Sequence, residues 1–496
     1  MKKYFSIFLL FLVSIILVAC KDNKPVELNY EEDIYYSLFV RSFADSDGDG
    51  IGDLNGITEN LDYLEELGIT ALWLLPIFES PTYHGYDTID YYKINPDYGT
   101  MDDLENLINE ANEKGIKIIL DLVINHTSDQ HQWFIEASKG TNNPYRDYYV
   151  WNGNSAHQEF VGGMMDLNLR NEEVKNEIYK IVDFYLDLGI QGFRLDAVPH
   201  FFAEFSAHTA QVENILFMLE LQTYIKEKDD KAFIVGEVLQ SDYNVLKEYY
   251  KSQASYFNFY VRGEVLSKVG IGTNSRLFSS NLERMYDELR NIKNDFIDSP
   301  IIGNHDLDRI ASETGFENEE KLKLASRILL TLPGSPFIYY GDELGMKGKR
   351  YEGEVIEGRV VYDEYRRQPF LWGNSNTTTW LKSDGSNDDT KSYLEQKDDE
   401  NSLLNTYKEM ANLRKKTPAL MYGNSFYVYS KGNNIQGYIR VIDDENFKEA
   451  VLIIHNLRET TYDTEYNYKV IYGNKVLGPY ETVIYEIPFD EYEGLI

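Results

Sequence analysis

Short, nearly continuous apolar runs alternate with helical stripes through residues 33–416 of this chain. The runs are 34–40, 69–76, 116–125, 192–197, 233–238, 255–259, 301–304 and 337–340. Between them, Ile57, Leu61, Leu64 and Leu67 recur at helical spacing ahead of Gly68, and Val174, Ile178, Ile181, Val182 and Tyr185 do so ahead of Gly189. Asp102 is the expected cap of a helix carrying Leu104, Leu107, Ile108 and Ala111, and further helices are expected near 206–226, 280–293, 318–330 and 401–416. A strand that is apolar along its whole length must be covered on both faces, as in a parallel sheet. Eight such strands with intervening helices predict an α/β fold, a (β/α)8 barrel.

Two segments break the rhythm. Residues 127–166, after the third strand, are rich in His, Gln, Asn, Gly and aromatics and show no helical period; they read as a small inserted domain. In residues 418–496, Tyr, Val and Ile alternate with polar residues between turns, which predicts a C-terminal antiparallel β-sandwich. The barrel then comprises residues 31–126 and 167–417.

At the N-terminus, Lys2 and Lys3 precede an apolar stretch over 5–18 that is too short to span a bilayer. Leu17, Val18, Ala19 and Cys20 follow and resemble a bacterial lipobox. The expectation is a signal peptide over 1–19, lipidation of Cys20, a polar tether over 20–30, and an extracytoplasmic protein whose one membrane contact is the lipid. Cys20 is the only cysteine, so an intrachain disulfide is excluded. A formal charge of −34 argues against a nucleic-acid partner, since both surfaces would be polyanionic. The chain is expected to be a monomer.

Four of the apolar runs end in chemistry-bearing residues: Asp121, Asn125 and His126; Arg194, Asp196 and His200; Glu237; and Asn304, His305 and Asp306. In a barrel, polar groups at strand C-termini converge on one mouth. Arg194 and Asp196 are two apart on one strand and project to the same side, so the guanidinium is expected to depress the Asp196 pKa. Glu237, set among other carboxylates, is expected to have a raised pKa and to hold a proton near neutrality. An ionised carboxylate is what a nucleophile needs, and a carboxyl that keeps its proton is what a leaving-group acid needs.

These segments resemble, in matching order, the signature regions of the alpha-amylase family, glycoside hydrolase family 13. Gly85, Tyr86 and Asp87, Met164 through Asn168, and Arg367 through Trp372 extend the resemblance. It implies that Asp196 is the nucleophile, Glu237 the general acid/base and Asp306 the group that grips sugar hydroxyls. It also implies that Tyr86, Asp87, His126, Arg194 and His305 complete the subsite, and that the reaction retains anomeric configuration. The expected action is on α-1,4-glucosidic bonds of starch and maltooligosaccharides. An alpha-glucosidase, a neopullulanase or a glucanotransferase of the same family, and a non-catalytic glycan-binding protein, are the alternatives. Retention requires the two carboxyl groups about 5–5.5 Å apart.

Asp45, Asp47, Asp49, Ile51 and Asp53 form a second motif, with carboxylates at alternating positions and Gly50 at the turn. Such a loop can wrap a hard cation, and Ca²⁺ is the expected cofactor, with the Ile51 carbonyl as a further ligand. Position twelve of an EF-hand would be Glu and here is Gly56. Asn125, Asp166 and the His200 carbonyl match a second calcium site found in many amylases.

Overall fold

In the computed structural model, which describes residues 32–160, 162–202, 207–432 and 434–496, eight short parallel strands form one sheet. They are β1 Tyr35–Leu38, β2 Ala71–Leu74, β3 Lys117–Leu122, β4 Gly192–Leu195, β5 Phe233–Gly236, β6 Ser255–Asn258, β7 Ser299–Pro300 and β8 Phe337–Tyr339. Neighbours follow chain order, and β8 pairs with β1 at Tyr35↔Phe337. Ile301, just beyond β7, bridges Phe337 in parallel and closes the cylinder. The expected strand over 301–304 starts earlier and stops sooner than its apolar residues indicate. The Ile302 carbonyl accepts from the Arg262 guanidinium and is lost to the ladder. The expected signal peptide over 1–19, the expected tether over 20–30 and Cys20 lie outside the described residues.

The barrel helices are α1 Leu61–Leu67, α2 Met101–Glu113, α3 Glu172–Leu188, α4 Ala207–Lys228, α5 Tyr243–Tyr249, α6 Phe278–Ile292, α7 Glu319–Leu329 and α8 Leu403–Lys416. Each of α2, α3, α6 and α7 buries one apolar stripe, Leu104, Leu107, Ile108 and Ala111 in the case of α2. The cap of α2 is Thr100, not Asp102. Thr100 and Asp103 exchange side-chain bonds to each other's backbone N–H in a capping box, which leaves Asp102 inside the first turn. No helix among the described residues is long and apolar enough to cross a membrane.

Aromatic rings fill the barrel from its N-terminal end. Tyr35 stacks on Phe337 (4.3 Å between centroids) and on Phe233 (5.0 Å). Above them Trp73 meets Phe257 at 5.1 Å, and Phe257 meets Phe337 at 4.9 Å. This apolar stack is the floor on which the charged groups of the C-terminal mouth stand.

The inserted segment is tied at its base by antiparallel pairing of His126–Ser128 with Met164–Asp166. It does contain a short helix, Gln132–Ala137, where no helical period was visible. At the C-terminus, β9 Ser425–Lys431, β10 Ile435–Asp443, β11 Lys448–Asn456, β12 Lys469–Tyr472 and β13 Thr482–Ile487 form an antiparallel sheet in the order β9-β10-β11-β13-β12. A two-stranded ribbon, Tyr462–Asp463 with Val476–Leu477, accompanies the sheet, and its Leu477 belongs to the same buried cluster as Ile454, Val483 and Tyr485. The barrel packs on this domain through α6, where Tyr286 meets Phe426 at 5.2 Å.

Candidate active site

The mouth is organised around one guanidinium. Arg194 on β4 is completely buried, and its carbon lies 5.1 Å above the Trp73 ring. Nη1 donates to Asp121 Oδ1 at 2.8 Å and Oδ2 at 2.9 Å, and to Asp196 Oδ1 at 2.7 Å. Nη2 lies 2.9 Å from Glu237 Oε2, an ion pair without hydrogen-bond alignment. Three carboxylates thus share a single positive charge. Glu237 Oε1 is buried and takes no protein partner among the described residues.

The turn after β4 fixes Glu237 from the other side. Ala197 follows Asp196 with φ of 49°, a left-handed conformation that costs a non-glycine residue about 1–2 kcal/mol. The strained turn points the Ala197 N–H at Glu237 Oε2 (3.3 Å) and the Val198 N–H at the Glu237 carbonyl (3.2 Å). The nucleophile candidate and the acid candidate are therefore registered by the same three-residue turn.

Asp306 stands opposite. Its Oδ2 is 2.8 Å from His305 Nε2 and its Oδ1 is 3.1 Å from Arg367 Nη2. Arg367 also pairs with Asp363 at 2.8 Å and donates to Tyr83 Oη at 3.1 Å. Tyr86 Oη lies 2.6 Å from His305 Nε2 and 3.1 Å from Asp121 Oδ2, joining the two halves of the mouth. Gly85 places that ring: its φ is +83°, and a β-carbon there would come within 2.9 Å of Pro76. Asp87 is buried and accepts from Ser80 Oγ at 2.6 Å and from Thr82, which locks the loop. His126 Nε2 lies 3.1 Å from the Tyr86 carbonyl.

These groups surround a cleft of about 350 Å³ lined by Tyr86, His126, Asp196, His200, Glu237 and Asp306, with His84, Phe160, Asp363 and Arg367 at its sides. Arg194, Asp87 and His305 sit behind that lining. They position the exposed groups.

Burial raises the pKa of Asp196 above its ordinary value, and Asp306 adds to the rise; the opposing pull of Arg194 is outweighed. This corrects the expectation that Arg194 would depress it. The reason is that burial of the carboxyl outweighs the guanidinium. Burial likewise raises Glu237, as expected, and pushes Asp121 up to about 7. Burial would raise Asp306 too, but His305 and Arg367 prevail and hold it below the usual carboxylate range. Burial lowers His126 to about 4, so that ring is neutral at neutral pH, and burial also lowers His305 against the opposing pull of Asp306. Burial thus raises all three carboxylates around Arg194 above their ordinary values.

In the acidic loop, ligand oxygens of Asp45, Asp47 and Asp49 lie within 4.8 Å of one another. Gly50, at φ of +94°, makes the turn beneath Thr379. The donors are hard carboxylate oxygens, which fit Ca²⁺. Ile51 enters through its N–H, which donates to Asp49 Oδ1 at 2.7 Å. Asp53 is not in the group. Its oxygens accept from Ser46 N and Oγ and from Gly56 N, so it caps the helix Leu54–Glu59. At the second expected site, Asp166 takes His157 Nδ1 at 2.7 Å and the Glu159 N–H at 3.2 Å. His200 Nδ1 pairs with Glu159 at 3.0 Å, and Asn125 Nδ2 is 3.2 Å from His126 Nδ1. Asn125, Asp166 and the His200 ring are each engaged separately.

The family pattern of the alpha amylase catalytic domain matches residues 37–159 and 151–423. The chain belongs to the alpha-amylase family of glycoside hydrolases. It is 38% identical to Alpha-amylase 3 of Dictyoglomus thermophilum over 97% of this chain and 98% of that one. An alpha-amylase from H. orenii superposes with a TM-score of 0.81 at 34% identity, over 92% of this chain and 99% of that one. An oligo-1,6-glucosidase of Bacillus cereus is 28% identical over 92% of this chain and 99% of its own. The protein is thus an alpha-amylase-type glycoside hydrolase. Within that family site, the structure adds Tyr83 and Asp363, and gives partners to Asp121 and Arg367, which were read from sequence without an assigned role. Asp121 had a visible signal, a lone acid inside an apolar strand. Asp363 and Arg367 come from the long connection after β8, which carries no period.

Proposed function

We propose that the protein hydrolyses α-1,4-glucosidic bonds in starch and maltooligosaccharides with retention of configuration. The arrangement that carries this reading is Arg194, which holds Asp196 and Glu237 on its two terminal nitrogens beside a sugar-sized cleft that Asp306 also lines. Asp196 attacks the anomeric carbon while the bond to the departing oxygen breaks and Glu237 donates its proton there. Glu237, now a carboxylate, takes a proton from water, whose oxygen displaces Asp196 from the anomeric carbon. Burial raises the Glu237 pKa, which favours the protonated form needed for the first step. Asp306, held ionised by His305 and Arg367, is suited to gripping sugar hydroxyls as an acceptor. Tyr86 and neutral His126 supply a ring face and a hydrogen bond to the same sugar.

The loop of Asp45, Asp47 and Asp49 is assigned as a structural Ca²⁺ site, remote from these steps. Relatives named oligo-1,6-glucosidases support a second reading, cleavage of α-1,6 bonds. A time course of products and their anomeric form from soluble starch, pullulan and isomaltose separates the two. Release of α-configured maltooligosaccharides from starch is expected. Glucose released from isomaltose with starch left intact would replace the α-1,4 assignment.

A further inference from the structure

Beside the cleft, a hairpin of Glu354–Ile356 and Arg359–Val361 turns through Glu357 and Gly358, both at positive φ. Its inner face packs Val361 and Ile356 on a small cluster with Tyr351, Tyr365, Leu381 and Trp380. Its outer face is apolar as well. Val355 and Val360 are direct cross-strand partners and are 68% and 52% exposed; Tyr362, two residues past Val360, is 52% exposed. The Tyr362 ring lies along Gly353, where a β-carbon would come 3.4–3.6 Å from its Oη, Cε1 and Cζ. It is thus supported from behind by backbone and open in front.

The geometry points to a second glucan contact: the Tyr362, Val355 and Val360 face holds a stretch of the same α-glucan chain whose cleaved residue occupies the catalytic cleft. The choice of occupant rests on continuity. The next residue after Tyr362 is Asp363, which lines the cleft and is bound to Arg367, and Arg367 in turn holds Asp306. A sugar ring presents an apolar C–H face and a rim of hydroxyls. A supported tyrosine flanked by two valines matches the apolar face. An edge strand with a bare apolar surface is otherwise a liability for aggregation.

The inference rests on the glucan-hydrolase reading, and its test is built to fail separately. Tyr362→Ala and the double variant Val355→Ser/Val360→Ser are compared with the parent for kcat/KM on soluble starch and on maltotriose. The ratio of starch to maltotriose is expected to fall about tenfold, through KM. Maltodextrin binding is measured by calorimetry in Glu237→Gln with and without Tyr362→Ala, and the added substitution is expected to weaken it. An unchanged ratio with unchanged binding overturns the proposal. So does a change in molar mass by light scattering with the ratio unchanged, which would make the face a contact between two copies. If the parent cleaves no glucan but binding still depends on Tyr362, the hydrolase reading falls and the contact stands.

Discussion

Asp121 is the side chain whose role was least visible from sequence and is most constrained in the structure. It is buried, bidentate on Arg194 and bonded to Tyr86. Removing its charge frees the guanidinium to act on Asp196 and Glu237 alone, which lowers both of their pKa values. Asp121→Asn is therefore expected to move the alkaline limb of the kcat/KM profile to lower pH. A limb that stays in place would show that the three carboxylates do not share one charge. His126 offers a direct reading of burial. Its imidazole is expected to titrate at about 4 by NMR. The unfolded ring, near about 6.5, binds a proton the folded ring rejects, so the stability His126 supports is intact above that value and is lost as pH falls toward 4.

At the scale of elements, the polar strand ends were legible because an apolar run that stops abruptly at Asp, Glu or His has few readings other than a barrel mouth. Two features hid from that logic. The apolar pair Ile301 and Ile302 reads as strand, yet a side chain, Arg262, takes the carbonyl that would continue it. Ala197 reads as an ordinary small residue, yet its left-handed backbone aims the turn at Glu237. A β-branched side chain tolerates that conformation poorly. Ala197→Val is expected to cost about 1–3 kcal/mol in urea unfolding and to lower kcat more than it raises KM. In the acidic loop, alternating Asp residues predict a cation site, but spacing alone does not say which of them turns inward; Asp53 caps a helix instead. Three carboxylates held this close repel one another unless a cation joins them. Chelation is expected to lower Tm, with recovery on adding Ca²⁺. An unchanged melt of protein shown to be metal-free would remove the site.

Across the whole molecule, two buried arginines donate to backbone carbonyls around the junction of the barrel and the C-terminal sheet, and Arg440 spans it. Arg414 on α8 donates to the carbonyls of Leu330, Leu332 and Gly334, which form the connection from α7 to β8. Arg440 on β10 donates to Thr331 in the same connection and to Leu420 and Gly423 beyond α8. Both are fully buried, and burial lowers them, to about 9 for Arg414 and about 10 for Arg440. The sheet cannot leave the barrel without unpairing the Arg440 guanidinium from the buried Thr331 carbonyl. That predicts one cooperative thermal transition for barrel and sheet together, in contrast to two independently melting domains. Arg440→Met keeps the volume but orphans the Thr331 and Gly423 carbonyls, at about 1–3 kcal/mol each. It is expected to lower Tm while the calorimetric trace stays single. A trace that splits into two peaks in the parent protein would show that the sheet is an independent module and that these bonds contribute little to holding the barrel closed.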